Sequence, residues 1–166
     1  MILGMSTSTF TLVHVLISLA GIGSGIMVVY GMLSGKRLDG WTAIFLTTTV
    51  LTSVTGFLFP VEHLLPSHKV GIISLVVLVL AILGRYAFHL AGAWRRTYVV
   101  CAVLAFYLNS FVGVVQAFLK VPTLNALAPT QKEPPFLVAQ VIVRAIFVVL
   151  MVLATRRFRV EPAMAA

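Results

Sequence analysis

Five apolar stretches, each close to twenty residues or longer, leave this chain few ways to fold. They cover about 10–33, 41–60, 70–90, 98–119 and 136–155. The hydrocarbon core of a bilayer is about 30 Å thick and takes roughly 20 apolar residues per helix. Inside it, backbone groups must be paired within the segment, which leaves the helix as the economical solution. The pattern therefore predicts an all-α, polytopic membrane protein: one bundle of five transmembrane helices forming a single domain over residues 1–166. Composition agrees. Of the 166 residues 60% are hydrophobic and 10% charged, against about 45–50% and 25% in soluble domains. A soluble fold of this size leaves about a third of its unfolded area exposed and could not hide so much apolar surface. Soluble enzymes, disordered tails and disulfide-stapled secreted modules are excluded.

The breaks between stretches are legible. Gly35-Lys36-Arg37-Leu38-Asp39-Gly40 is a charged turn with a glycine at each end, Pro60 to Lys69 holds two prolines with Glu62, His63 and His68, and Gly92 to Thr97 contains Trp94, Arg95 and Arg96. Lys120 to Pro135 is the longest connection and reads as an ordered external loop; its Pro134-Pro135 suits the first turn of the last helix. Lys36, Arg37, Arg95, Arg96, Arg156, Arg157 and Arg159 fall on one side of the bundle and Lys69, Lys120 and Lys132 on the other. The positive-inside rule then puts the N-terminus outside and the C-terminus in the cytoplasm. Trp41, Trp94, Tyr98 and Phe158 lie near the cytoplasmic boundary, as interfacial anchors. The net charge of +8 is thus an expression of topology, with some attraction to anionic lipid, and not a nucleic-acid surface. No Lys or Arg precedes Lys36, so the first stretch reads as a retained span and not a signal peptide. Cys101 is the one cysteine, which excludes an intrachain disulfide and a multi-cysteine metal cluster.

Polar groups within spans usually face a bundle interior or a wet cavity. On the first helix His14, Ser18, Gly21 and Gly25 share a face, either as a small-residue packing seam or as room for a flat ligand. The second is rich in hydroxyls, and threonines in membrane helices can bond back to their own carbonyls. Arg85 and His89 close the third near the cytoplasmic side, where snorkelling to phosphate is the expectation. Asn109, Gly113, Gln116 and Lys120 give the fourth helix a polar face, and Gln140 and Arg144 do the same for the fifth. Arg144 stays charged, with no Asp or Glu inside any stretch to meet it. Three solutions are open: snorkelling outward, pairing with Glu62, or meeting an anionic group on a bound molecule.

The shared depth of His14, Ser18, Asn109, Gln116, Gln140 and Arg144 predicts an outer-half polar cavity bounded by helices 1, 2, 4 and 5. Neutral imidazole is the usual ligand of a b-type haem and arginine suits its propionates. His14, His63 and His68 are the candidate haem or metal ligands. Equally, a quinone or lipid could sit between helices with its head held by Asn109, Gln116, Gln140 and Arg144. The expected function is membrane-embedded binding of an anionic or amphiphilic cofactor, haem b or a quinone, by a protein that is either non-catalytic or redox-linked. The alternative is an accessory or assembly subunit that meets a membrane-protein partner or a second copy of itself, and a small-solute carrier comes third. No Ser-His-acid set, HExxH or transferase motif occurs.

Three segments carry a resemblance: Thr55-Gly56-Phe57-Leu58-Phe59-Pro60, Pro66-Ser67-His68-Lys69-Val70-Gly71-Ile72-Ile73-Ser74-Leu75, and Lys120-Val121-Pro122 through Ala128-Pro129-Thr130-Gln131-Lys132-Glu133-Pro134-Pro135-Phe136. Through them most of the chain from the second helix onwards resembles small five-helix inner-membrane proteins of Gram-negative bacteria, hypothetical membrane proteins without characterised activity. The resemblance implies a multi-pass location in the bacterial cytoplasmic membrane and no ligand, activity or site.

Overall fold

A computed structural model describes residues 2–60 and 66–159. Among them six α-helices form and no strand: α1 Thr7–Leu33, α2 Asp39–Gly56, α3 Pro66–Ile82, α4 Ala93–Lys120, α5 Pro122–Leu127 and α6 Pro134–Arg157. Local chemistry accounts for most ends. The Ser6 hydroxyl caps α1 by accepting from the Thr9 amide at 3.2 Å. At its other end Gly35 adopts φ +67°, so that Lys36 N–H reaches the Gly31 carbonyl at 2.8 Å and Gly35 N–H that of Met32 at 3.3 Å. This reversal depends on the glycine. Asp39 sits in the first turn of α2 and Arg156 and Arg157 in the last turn of α6, each at the helix end whose dipole favours its charge.

The ends of α3 and the longest loop are where the sequence reading is refined. α3 passes into a π-helical turn over Leu83–Ala87, the kind of irregularity that single-turn insertions introduce. The chain then reverses through His89 at φ 46° and Leu90 at φ 60°, non-glycine residues in the left-handed region, with Leu90 buried. The loop after Lys120 contains the short helix α5 and a turn closed by Glu133. α2 stops at Gly56, four residues before the expected end at 60.

The five long helices alternate in direction. One end of the bundle joins the start of α2 to the end of α3 through Asp39 and Arg85, and the start of α4 to the end of α6 through Arg95 and the Phe158 carbonyl. The other joins α1 to α2 through His14 and Thr55, and α4 to α6 through Phe118 and Phe136, 5.3 Å apart. α4 is central: 44% of its most apolar stretch is buried, against 17% for α6. Around α4 the core is aromatic and small by turns. Phe106 meets Phe45 at 6.2 Å and Phe147 at 4.8 Å. Its ring lies so close to α1 that a Cβ on Gly25 would stand 2.6 Å from it. Such small-residue contacts let membrane helices approach, since lipid supplies no hydrophobic force between them.

Among the described residues four helical segments are long and apolar enough to cross a membrane: Thr7–Leu33, His68–Ala87, Ala93–Lys120 and Pro134–Arg157. The second predicted span, realised as the 18-residue α2, is not among them; seven Ser and Thr residues dilute its apolar content.

Candidate functional site

The predicted cavity residues divide between opposite faces of α4. Two positions along a helix are about 200° apart around its axis, so Asn109 points away from the face that carries Tyr107 and Phe111. Asn109 turns to α1, where its Nδ2 donates to the Ser18 carbonyl at 3.4 Å. The Ser18 hydroxyl reaches Thr52 Oγ1 at 3.4 Å. Gly21 lines the same spot: a Cβ there would lie 2.9 Å from Asn109 Nδ2 and 3.3 Å from the hydroxyls of Thr48 and Thr49. The chain's own amide and hydroxyls therefore fill the space beside Gly21. Gln116, on the Asn109 face two turns further along, is exposed.

His14 lies nearer the helix end. Its Nδ1 is 2.7 Å from Thr55 Oγ1. The one hydroxyl proton of Thr55 goes to the Leu51 carbonyl at 2.6 Å, so His14 Nδ1–H donates and Nε2 keeps its lone pair, a tautomer assigned from the network. That is the arrangement second-shell partners impose on a ligating histidine. The ring packs edge-on against Phe59 at 5.2 Å. His68 is buried on α3 and packs against Phe57 at 5.5 Å. His63 and Glu62 lie outside the described residues, and among those described no three His, Cys, Asp or Glu side chains gather as a metal ion would need.

Gln140 and Arg144 occupy the other face of α4, at its seam with α6. Gln140 is 6% exposed; its Nε2 donates to the Phe111 carbonyl at 3.4 Å, and its Oε1 is buried without a hydrogen bond. One turn further, Arg144 Nε donates to the Tyr107 hydroxyl at 3.3 Å. The guanidinium itself is exposed. It interrupts an outward apolar stripe made by Leu137, Val141 and Val148, at 51%, 62% and 58% exposure. Counting 1.5 Å per residue, Arg144 is about 15 Å from the start of α6 and about 20 Å from its end. Among the described residues no carboxylate pairs with it.

The residue that sequence reasoning misplaced is Arg85. It does not snorkel: it is 4% exposed, its Nη2 pairs with the Asp39 carboxylate and its Nη1 donates to the Tyr98 hydroxyl at 3.2 Å. The guanidinium also lies 5.2 Å from the centroid of the Tyr98 ring. Tyr98 and Phe158, expected as interfacial anchors, are each 1% exposed and pack on one another at 6.0 Å, whereas Trp41 is exposed as an anchor should be. The available signal was depth: Asp39 opens one helix and Arg85 closes the next at the same end of the bundle.

Most of the hydroxyls do what the sequence allowed. Thr42, Thr48, Thr49, Ser53 and Thr55 each donate to the carbonyl four residues back. Among the described residues Oε1 of Gln140 is the buried side-chain atom without a hydrogen bond, and in the predicted set Nε2 of His14 and the terminal nitrogens of Arg144 have capacity to spare. An acceptor or anion fits the arginine, and a donor fits the glutamine oxygen. No protein-family model matches the chain, and neither a curated protein nor a solved structure matches it, so the functional reading rests on this geometry.

Proposed function

We propose that this is a five-span protein of the bacterial cytoplasmic membrane, N-terminus outside and C-terminus in the cytoplasm, which binds the head group of a quinone-like or anionic amphiphile at the α4–α6 seam. The observation that carries the reading is Arg144. A permanent cation near the middle of an apolar helix is expensive in lipid, and here, among the described residues, it meets a single tyrosine hydroxyl. Beside it the orphaned Gln140 Oε1 is a buried acceptor awaiting a donor. A quinone carbonyl accepts from Arg144 and a quinol hydroxyl donates to Gln140, so the pair serves both redox forms. The apolar stripe of Leu137, Val141 and Val148 gives an isoprenoid or acyl tail a surface to follow.

Two features support α2 as the fifth span. Its 18 residues extend about 27 Å, and five of its seven hydroxyls are paired to backbone within the helix or at its start, which lowers their cost in lipid. The concentration of Lys36, Arg37, Arg95, Arg96, Arg156, Arg157 and Arg159 at one end favours that end as cytoplasmic. Impermeant maleimide labelling of single cysteines at Ser34 and Thr130, in a Cys101→Ser background, tests this: label from outside should reach Thr130 alone.

The binding test is mass spectrometry of the lipid extract from protein purified in mild detergent. Near-stoichiometric quinone is expected, falling at least tenfold in Arg144→Gln and in Gln140→Leu. Wild-type protein that carries no quinone or anionic amphiphile overturns the reading, and stable co-purification of one membrane partner replaces it by the subunit alternative. A second reading, haem b on His14, is favoured by the free Nε2. A Soret band with reduced α and β bands, lost in His14→Ala, would establish it.

A further inference from the structure

At the basic end of the bundle, the first turn of α4 and the last turn of α6 enclose an open cleft of about 660 Å³ lined by Arg95, Arg96, Thr155, Arg156 and Arg159. Sites that hold small molecules typically measure about 300–1,000 Å³. The four guanidinia stay protonated at any physiological pH. Both ion pairs among the described residues belong to Asp39, with Arg37 and Arg85, so no described carboxylate neutralises the cleft. Its walls are held in place. Arg95 Nη1 donates to the Thr155 carbonyl at 3.4 Å and to the Phe158 carbonyl, which ties α4 to the end of α6. Phe158 is buried against Tyr98, and the Thr155 hydroxyl is spent on the Met151 carbonyl at 2.7 Å. Arg95 is thus fixed between the two helices, and Arg96, Arg156 and Arg159 stand exposed around the same open volume. Arg95 and Arg96 also stand in the first turn of α4, whose dipole end is positive and adds no competing negative charge. Next to them Trp94 stacks on Phe88 at 4.0 Å, the kind of aromatic that marks the membrane–water boundary.

From this arrangement we propose that the cleft is a phosphate-binding site. Planar guanidinium forks match phosphate oxygens two bonds at a time, and several converging forks suit a dianion or two linked phosphates better than a carboxylate. The phosphate can belong to an anionic lipid headgroup or to a soluble phosphate compound; basic pockets between helices at this boundary suit the former. The site is independent of the α4–α6 seam around Arg144, which lies deeper along α6.

The experiment uses the full chain, delipidated in maltoside. Native mass spectrometry with added phosphatidylglycerol, and with phosphatidylcholine for comparison, reads the lipid source; isothermal titration with pyrophosphate reads the soluble one. Arg96→Gln/Arg156→Gln/Arg159→Gln is set against Lys36→Gln/Arg37→Gln/Arg157→Gln, which removes the same charge from the same end outside the cleft. Arg95 is left intact because it holds α6. Binding of either probe that falls at least tenfold in the cleft variant and less than twofold in the control establishes the site, and the probe that binds identifies the source. Equal losses in both variants reduce the effect to general surface charge and overturn the proposal. So does phosphatidylglycerol held no better than phosphatidylcholine together with no pyrophosphate binding. The quinone content of the lipid extract is expected to be the same in the cleft variant as in the wild type, so failure here and failure of the quinone reading are told apart.

Discussion

Two arginines stand in apolar helices of this protein, and they are treated in opposite ways. Arg85 is buried at the basic end with a carboxylate, a phenol hydroxyl and an aromatic face around it. Arg144 is exposed on the outer stripe of α6 with one tyrosine hydroxyl. The first is a completed interaction that joins α2, α3 and α4. The second is an incomplete one, and an unfinished cation at such a depth is where a ligand or partner is to be sought.

The largest effect should come from breaking the completed pair. Asp39→Ala leaves Arg85 buried without its counter-charge and should cost about 3 kcal/mol, the low end for a broken buried pair because Asp39 itself is exposed. Removing both partners, in Asp39→Ala/Arg85→Leu, should recover most of that loss in thermal unfolding in detergent. A double variant as unstable as the single one would mean that Arg85 matters for packing and not for charge. Next come the two tyrosines. Tyr98→Phe removes a buried acceptor from a cation and should cost about 2 kcal/mol, whereas Tyr107→Phe should cost under about 0.5 kcal/mol, since its partner is exposed. Equal losses would erase the contrast between the two regions. Arg144→Gln itself should shift stability by no more than about 0.5 kcal/mol, while lowering the proposed quinone content at least tenfold.

The smallest effect concerns the loop that leads into α6. The Glu133 carboxyl is held below the usual range, first by the Thr130 hydroxyl at 2.8 Å and then by the Thr130 and Lys132 amides. A carboxyl lowered in the folded state stabilises it above the ordinary value near 4.5. That contribution is lost as pH falls from there through the lowered value. Amide exchange at Thr130 and Lys132 should therefore quicken, relative to the intrinsic rate, as the pH drops below about 4. Glu133→Gln should remove this dependence; a pH dependence that survives the substitution would assign it elsewhere.

Much of this architecture was open to reading before any coordinates. The apolar runs, the Gly35 reversal, the Pro134-Pro135 start and the polar residues of each helix are local properties, fixed by bonds four residues apart and by turn chemistry. Less legible were the π turn after Ile82, the helix inside the loop after Lys120, and above all which polar residues would meet. Asn109 and Arg144 share a depth but not a face, because α4 separates the Ser18 side from the Gln140 side.

The sequence by itself determined that the chain is helical, strongly apolar and basic at one end, since run length and charge position follow from residue order alone. The tertiary structure decided that Asp39 would find Arg85, 46 residues away, and that Arg144, among the described residues, would find the Tyr107 hydroxyl alone. A helix closes its backbone hydrogen bonds internally, but the partners of its side chains depend on which neighbour packs against which face, at what rotation, and residue order does not state that.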